Sequence, residues 1–311
     1  MSERNTMPPL VERVRIVASD IKLSHSVFAL PFALLAAVFA LAHAGPIEWR
    51  RAALPLVLVV LAMVFARTAA MIANRLLDRA IDARNPRTAG RAIPSGRLEI
   101  RHAIAAFTGS SIAFVGVCGL FAALLDNWWP IALSVPVLGW ICVYGLLKRF
   151  TWACHLWLGA SLAMSVPAAA LAVEPHSLQS PAIWWLASAV LCWVAGFDVI
   201  YSLQDEAIDR AERLHSLPSR FGVQRALWAS RTLHLLCVAS FVMAWRSDPR
   251  LGWIFGAAVV AAAILLVIEH ATVRLWGTTR LAITFFTING CVSLLIGGAG
   301  IAAIILSEIS A

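Results

Sequence analysis

The 311-residue chain is 60% hydrophobic and only 14% charged, with a mean hydropathy of +0.80. A soluble domain of that length cannot hide so much apolar surface, so the composition excludes a water-soluble globular protein and points to an all-α, polytopic membrane protein. The net charge of +8 and a pI near 9.8 would suit a nucleic-acid binder, but the placement of the basic residues argues for a lipid bilayer and no nucleic acid.

In chain order, residues 1–24 carry both charge signs and lack the short apolar core and small-residue cleavage site of a signal peptide. Nine apolar spans follow, at 25–44, 53–73, 103–125, 130–147, 153–173, 183–203, 226–245, 251–270 and 281–306. Each approaches the roughly 20 residues a helix needs to cross the hydrocarbon core. The N-terminus and every second loop hold 19 of the 25 Lys and Arg, while the opposite loops hold only Arg50, Arg51, Arg246 and Arg250. The positive-inside rule then places the N-terminus in the cytoplasm and the C-terminus outside, as for a cell inner (plasma) membrane protein. The chain is expected to form a single domain over residues 1–311. Its second and sixth spans each end in an acidic cluster followed by a long basic loop, which suggests two weakly similar halves. The loops, 74–102 and 204–225, are expected to cap a site.

The first cluster is Asn74, Asp78 and Asp82, at the end of the second span. Four-residue spacing advances about 40° per step and keeps side chains on one helix face. The rival reading is a solvated helix end whose aspartates pair with Arg75, Arg79 or Arg84. Asp205 and Asp209 repeat the spacing at an equivalent place, which favours a pair of metal-binding clusters. Hard oxygen ligands of this kind suit Mg²⁺, which takes one or two carboxylates with water and substrate phosphate. Asp198, two turns before Asp205 and nearly on its face, is either a further ligand or a base acting on substrate. Its depth in the membrane marks it as functional.

Arg67 lies seven residues before Asn74 on the same face, where its planar fork suits phosphate or carboxylate. Residues 87–96 read as a basic, turn-rich loop whose Arg87 and Arg91 either clamp a diphosphate or serve topology alone. At the end of the fourth span Tyr144 and Lys148 are an i, i+4 pair, with Lys148 a cation for a leaving group, and Arg149 follows. Tyr144 and Tyr201 are the only tyrosines, and both fall in these motifs. Glu206 and Glu212 fall off the Asp205 face and read as loop charges. The tryptophans near span ends fit an interfacial belt. The six cysteines read as small core residues, His25, His155, His234 and His270 stand isolated, and Asn289 reads as a helix-packing hydrogen bond.

Together these motifs resemble the UbiA superfamily of intramembrane aromatic prenyltransferases. The resemblance is carried by Arg67 to Asp82, by Arg87-Thr-Ala-Gly-Arg-Ala-Ile-Pro-Ser-Gly96, by Tyr144-x-x-x-Lys148-Arg-Phe-Thr151 and by Asp198-x-x-Tyr201-x-x-x-Asp205-x-x-x-Asp209. It implies a nine-helix bundle around a central cavity, Mg²⁺ at Asn74, Asp78, Asp82, Asp205 and Asp209, and a polyprenyl diphosphate donor. Some members carry an Asp where this chain has Tyr201. The segments Ile21–Phe32, Asn85–Gly90 and Leu214–Gly222 are closest to the 4-hydroxybenzoate polyprenyltransferase branch, which includes enzymes of the futalosine menaquinone route.

The expected function is therefore transfer of a polyprenyl group to the ring of a hydroxylated aromatic acid in ubiquinone or menaquinone biosynthesis. In this reading Asp198, Lys148, Arg67 and Tyr144 serve the chemistry. Arg67, Arg87, Arg91, Lys148, Arg149 and Tyr201 hold substrate, with Arg67 or Arg149 on the acceptor carboxylate. A dihydroxynaphthoate acceptor is the alternative within the class. A cation-coupled transporter is the alternative outside it, disfavoured because the clusters sit at span ends rather than at the midplane.

Overall fold

A backbone in hydrocarbon has no water to bond, so long apolar runs must satisfy their own N–H and C=O groups, which a helix does. The computed structural model describes residues 28–279 and 281–310, and of 282–285 the backbone only. Among the described residues there is no strand. The helices are α1 (Leu30–Ala44), α2 (Trp49–Arg84), α3 (Ile100–Leu125), α4 (Trp129–Leu147), α5 (Cys154–Ala163), α6 (Ser165–Val173), α7 (Pro181–Ser202), α8 (Glu206–Ala211), α9 (Leu217–Phe221), α10 (Val223–Ser247), α11 (Gly252–Trp276) and α12 (Leu281–Ser310). Counting α5 with α6 and α7 with α8, eight segments are long and apolar enough to cross a membrane. Where a ninth span was expected, at 25–44, the described residues form the 15-residue apolar α1, shorter than those eight, with residues 25–27 lying outside the described part.

Three departures from simple spans shape the site. Helix α2 has 36 residues, about 54 Å at 1.5 Å per residue, so it runs well past a bilayer core and carries its acidic cluster on continuous helix. The expected span 153–173 is two helices joined at Met164. Pro167 has no N–H for the Ala163 carbonyl, which interrupts the hydrogen-bond ladder there. The sixth span ends in a 3-10 turn, Leu203–Asp205, before the short α8.

Helix α7 sits at the centre and is buried nearly all round, with Ile183, Leu186, Val190, Trp193 and Val194 each no more than 1% exposed. Helix α1 packs into the same core through Phe32, Leu35 and Phe39. Gly159 of α5 allows a close approach to α7. A Cβ there would lie 2.4 Å from the Leu191 carbonyl oxygen. Deep in the core Trp193 Nε1 donates to Asn289 Oδ1 at 2.7 Å, and Asn289 Nδ2 to Glu269 Oε1 at 2.7 Å, tying α7, α12 and α11. Asn289 is thus the interhelical hydrogen bond its sequence position suggested. By contrast α3 and α4 turn Ile112 and Val135 outward, each 67% exposed, as lipid-facing helices do. Trp49, Trp184, Trp253 and Trp276 are exposed near helix ends, consistent with an interfacial belt.

Candidate active site

Between α2, α3, α4, α5, α6 and α7 lies a cavity of about 930 Å³. Its polar end is lined by Arg67, Asn74, Arg75, Arg87, Arg91, Tyr144, Asp198 and Tyr201. The rest is apolar, with Phe114, Phe121, Val137, Ile141 and Leu162 among its walls. Both Asp198 and Trp184 line it, and their separation along α7 is about 21 Å, so the cavity runs most of the way to the opposite face.

The acidic clusters stand beyond this polar end. Asp78, Asp82 and Asp209 are 6%, 5% and 4% exposed, and such burial is tolerable only with counter-charges. Those charges come from other segments. Arg91 Nη1 reaches both oxygens of Asp82 at 2.7 Å. Arg149 Nη2 lies 3.3 Å from Asp78 Oδ1 while also donating to the Leu77 carbonyl at 2.6 Å. Arg87 grips Asp205 with two nitrogens, the Nε contact at 2.9 Å, and its Nη1 donates to the Tyr201 hydroxyl at 3.1 Å. Burial works against the Arg87 charge, but the Asp205 carboxylate more than offsets it and holds the guanidinium above its ordinary range. The Lys148 ammonium interacts favourably with the charges of both Asp78 and Asp209.

Several expectations change here. Asp78 and Asp82 pair with Arg149 and Arg91, not with Arg75, Arg79 or Arg84. Arg149, expected on an acceptor carboxylate, is committed to Asp78 and does not line the cavity, and neither does Lys148. Arg67 does line it. Asp205 and Asp209 do not share one continuous helix face with Asp198, because the 3-10 turn intervenes. Glu212, read as a plain loop charge, binds Arg84 through two bonds of 2.6 and 2.5 Å, and that guanidinium lowers its carboxyl below the usual range. His155, His234 and His270 are isolated in sequence but not in space: His155 Nδ1 is 2.7 Å from Asp198 Oδ2, and His234 Nδ1 is 3.0 Å from His270 Nε2. His25 lies outside the described residues.

Asn85 had no assigned role. It closes α2, its Nδ2 donates to Asp205 Oδ1 at 2.9 Å, and its Oδ1 accepts the Arg87 amide at 3.0 Å. The signal was available as an Asn-Pro pair directly after the acidic cluster, a frequent helix stop. The basic loop beyond it is ordered by turns around Ala92 and Leu98, which pack with Ile72 and Ala103.

Among the described residues, no three His, Cys, Asp or Glu side chains form a closed cage for one ion. Four carboxylates each within reach of an arginine or Lys148 suit a hard divalent cation that brings water and phosphate oxygens as its remaining ligands.

The chain is similar to known proteins over most of its length. The UbiA prenyltransferase family matches residues 29–291. The chain belongs to that family. A 4-hydroxybenzoate octaprenyltransferase of Alcanivorax borkumensis is 29% identical over 222 residues, covering 70% of this chain and 72% of the relative. The apo structure of a UbiA homolog from Aeropyrum pernix K1 superposes with a TM-score of 0.78 at 31% identity, covering 91% of this chain and 98% of that one. A UbiA homolog from Archaeoglobus fulgidus, bound to GPP and Mg²⁺, shares the fold with a TM-score of 0.66 at 17% identity, covering 93% and 99%. This UbiA-family chain is an integral membrane prenyltransferase, an enzyme rather than a carrier.

Proposed function

We propose that the enzyme transfers a polyprenyl group from its diphosphate to the ring of a 4-hydroxybenzoate-type acid, with Mg²⁺ and the diphosphate at the Asp clusters. The observation that carries the reading is the layout of one cavity. Acidic and basic groups for a metal diphosphate gather at one end, a carboxylate and an arginine stand just inside, and some 21 Å of apolar wall follow. Asn74, Asp78, Asp82, Asp205 and Asp209 would hold Mg²⁺, which supplies Lewis-acid stabilisation of the leaving diphosphate. Arg87, Arg91 and Lys148 lie where guanidinium and ammonium groups can exchange a carboxylate for phosphate oxygens. Tyr201 orients Arg87, and Tyr144 neighbours both Asp198 and Asp78.

The allylic C–O bond breaks with its electron pair leaving on the diphosphate, while the apolar walls keep water from the cation. The ring carbon beside the phenolic oxygen supplies the pair for the new C–C bond. Asp198 accepts the phenolic proton, the ring proton of the resulting dienone passes to the departed diphosphate, and the phenoxide so formed takes its proton back from Asp198 to restore the hydroxyl. Arg67, inside the cavity, pairs with the acceptor carboxylate. The tail lies along the apolar walls. Loops 74–102 and 204–225 cap the site in a single domain. The Asp-bearing face is cytoplasmic, in a bacterial inner membrane, where both substrates are made.

The test is prenylation by the purified protein, with Mg²⁺ or with chelator, using radiolabelled 4-hydroxybenzoate and a dihydroxynaphthoate in parallel. Mg²⁺-dependent label on 4-hydroxybenzoate supports the reading. Label on the naphthoate alone moves the acceptor to the alternative, and label on neither sinks both.

A further inference from the structure

Asp198 lines the cavity, and among the described residues its only hydrogen-bond partner is His155 of α5, at 2.7 Å from Nδ1 to Oδ2. Among the described residues no donor reaches the other carboxylate oxygen. His155 is 3% exposed and bonds on its far side as well: the Leu217 backbone N–H donates to Nε2 at 3.2 Å. A main-chain N–H can only donate. Nε2 therefore carries the lone pair, the ring proton sits on Nδ1, and His155 donates to Asp198.

The Leu217 amide is fixed in turn. It opens α9, whose capping residue Ser216 exchanges hydrogen bonds with Ser219, and the first amides of a helix need such outside partners. The segment is held against the α4–α5 connection, with the His215 amide on the Lys148 carbonyl at 2.6 Å.

We propose that His155 is a positioning residue for the acceptor: its neutral Nδ1–H holds Asp198 Oδ2 so that Oδ1 faces the phenol, and the Leu217 amide locks the ring tautomer that makes this possible. The proposal rests on Asp198 as the group that takes the phenolic proton. His155 itself neither gains nor loses a proton; the proton goes from the phenol to Asp198 Oδ1. The arrangement gives the Leu214–Gly222 segment a task, since it reaches the chemistry through one imidazole rather than by touching substrate.

Two amide substitutions separate the two faces of the ring. Asn places a donor near the position of Nδ1 and loses the contact to Leu217. Gln keeps a polar atom near Nε2 and loses the donor to Asp198. The full-length enzyme, purified in lipid, is assayed at saturating donor and Mg²⁺ on whichever phenolic acid the wild type prenylates, so that a wrong acceptor assignment shows in the wild-type rate alone. H155A and H155Q should lose about 10–100-fold in kcat/KM for the acceptor, the scale seen when a hydrogen-bonded supporting partner is removed. H155N should recover most of that loss, with donor KM unchanged throughout. In the D198N background H155A should cost nothing further, because its effect runs through Asp198. The proposal is overturned if H155Q outperforms H155N, or if H155A loses the same factor with and without Asp198. Thermal unfolding of each variant separates a folding defect from either result.

Discussion

At the scale of single residues, buried charges decide what the site can tolerate. Asp205 accepts from Arg87 through two nitrogens and from Asn85, so truncation would strand a half-buried arginine as well as remove a ligand. Asp205→Asn keeps the shape and removes only the charge. It should lower kcat by about 10²–10³, the cost of deleting one preorganised charge-stabilising group, while leaving the unfolding temperature close to wild type. A Mg²⁺ titration of turnover checks it, and near-normal rates at saturating Mg²⁺ would remove Asp205 from the metal site. Arg67 gives the complementary case. If its forked, planar guanidinium holds the acceptor carboxylate, lysine cannot reproduce both bonds. Arg67→Lys should then raise KM for the aromatic acid and leave that for the diphosphate unchanged. Equal kinetics for both substrates would leave Arg67 a structural residue of α2.

At the scale of elements, the distance between α5 and α7 sets the acceptor geometry. Gly159 lies one turn after His155, and it faces Leu191 and Ala195, one turn before Asp198. A methyl at Gly159 would sit 2.4 Å from a backbone oxygen and 3.2 Å from the Ala195 Cβ, and neither can rotate away. Gly159→Ala should therefore push the helices apart, cost about 1–3 kcal/mol of stability and weaken acceptor turnover more than donor binding. Unchanged unfolding together with unchanged acceptor kinetics would show that the helices yield freely there.

What the sequence revealed at this scale follows from range. The first cluster was legible because Asn74, Asp78 and Asp82 lie on one uninterrupted helix, where spacing fixes the face. The second was legible in composition but not in geometry, since a 3-10 turn carries no distinctive residue pattern. The counter-charges were not legible: spacing nominates neighbours such as Arg75 and Arg79, whereas Asp78 takes an arginine 71 residues away. His155 and Asn85 looked like background because their carboxylates lie 43 and 120 residues distant.

At the scale of the whole molecule, the membrane imposes a direction. The helix ends that carry Asp78, Lys148, Asp205 and Arg91 gather at one face, and the loops of that face hold most of the Lys and Arg. Arg50, Arg51, Arg246 and Arg250 lie at the other ends of their helices, and α12 runs away from the acidic face to finish at Ser310. Lys and Arg in short loops resist translocation, so the Asp-bearing face should be cytoplasmic. The same basic residues then serve two ends, since Arg87, Arg91 and Arg149 also neutralise the carboxylates. A reporter active only outside the cytoplasm should work when fused after Ala311 and fail when inserted at residues 90–95, and a cytoplasm-dependent reporter should give the opposite pattern. Inversion of both results would put the aspartates on the far side from the substrates' place of synthesis and defeat the proposed orientation. Replacing Arg97, which bonds Ser95 and the Gly90 carbonyl, and Arg101, which pairs with Glu99, with Gln tests the cause. If charge sets direction, the orientation should become mixed before the site itself is touched.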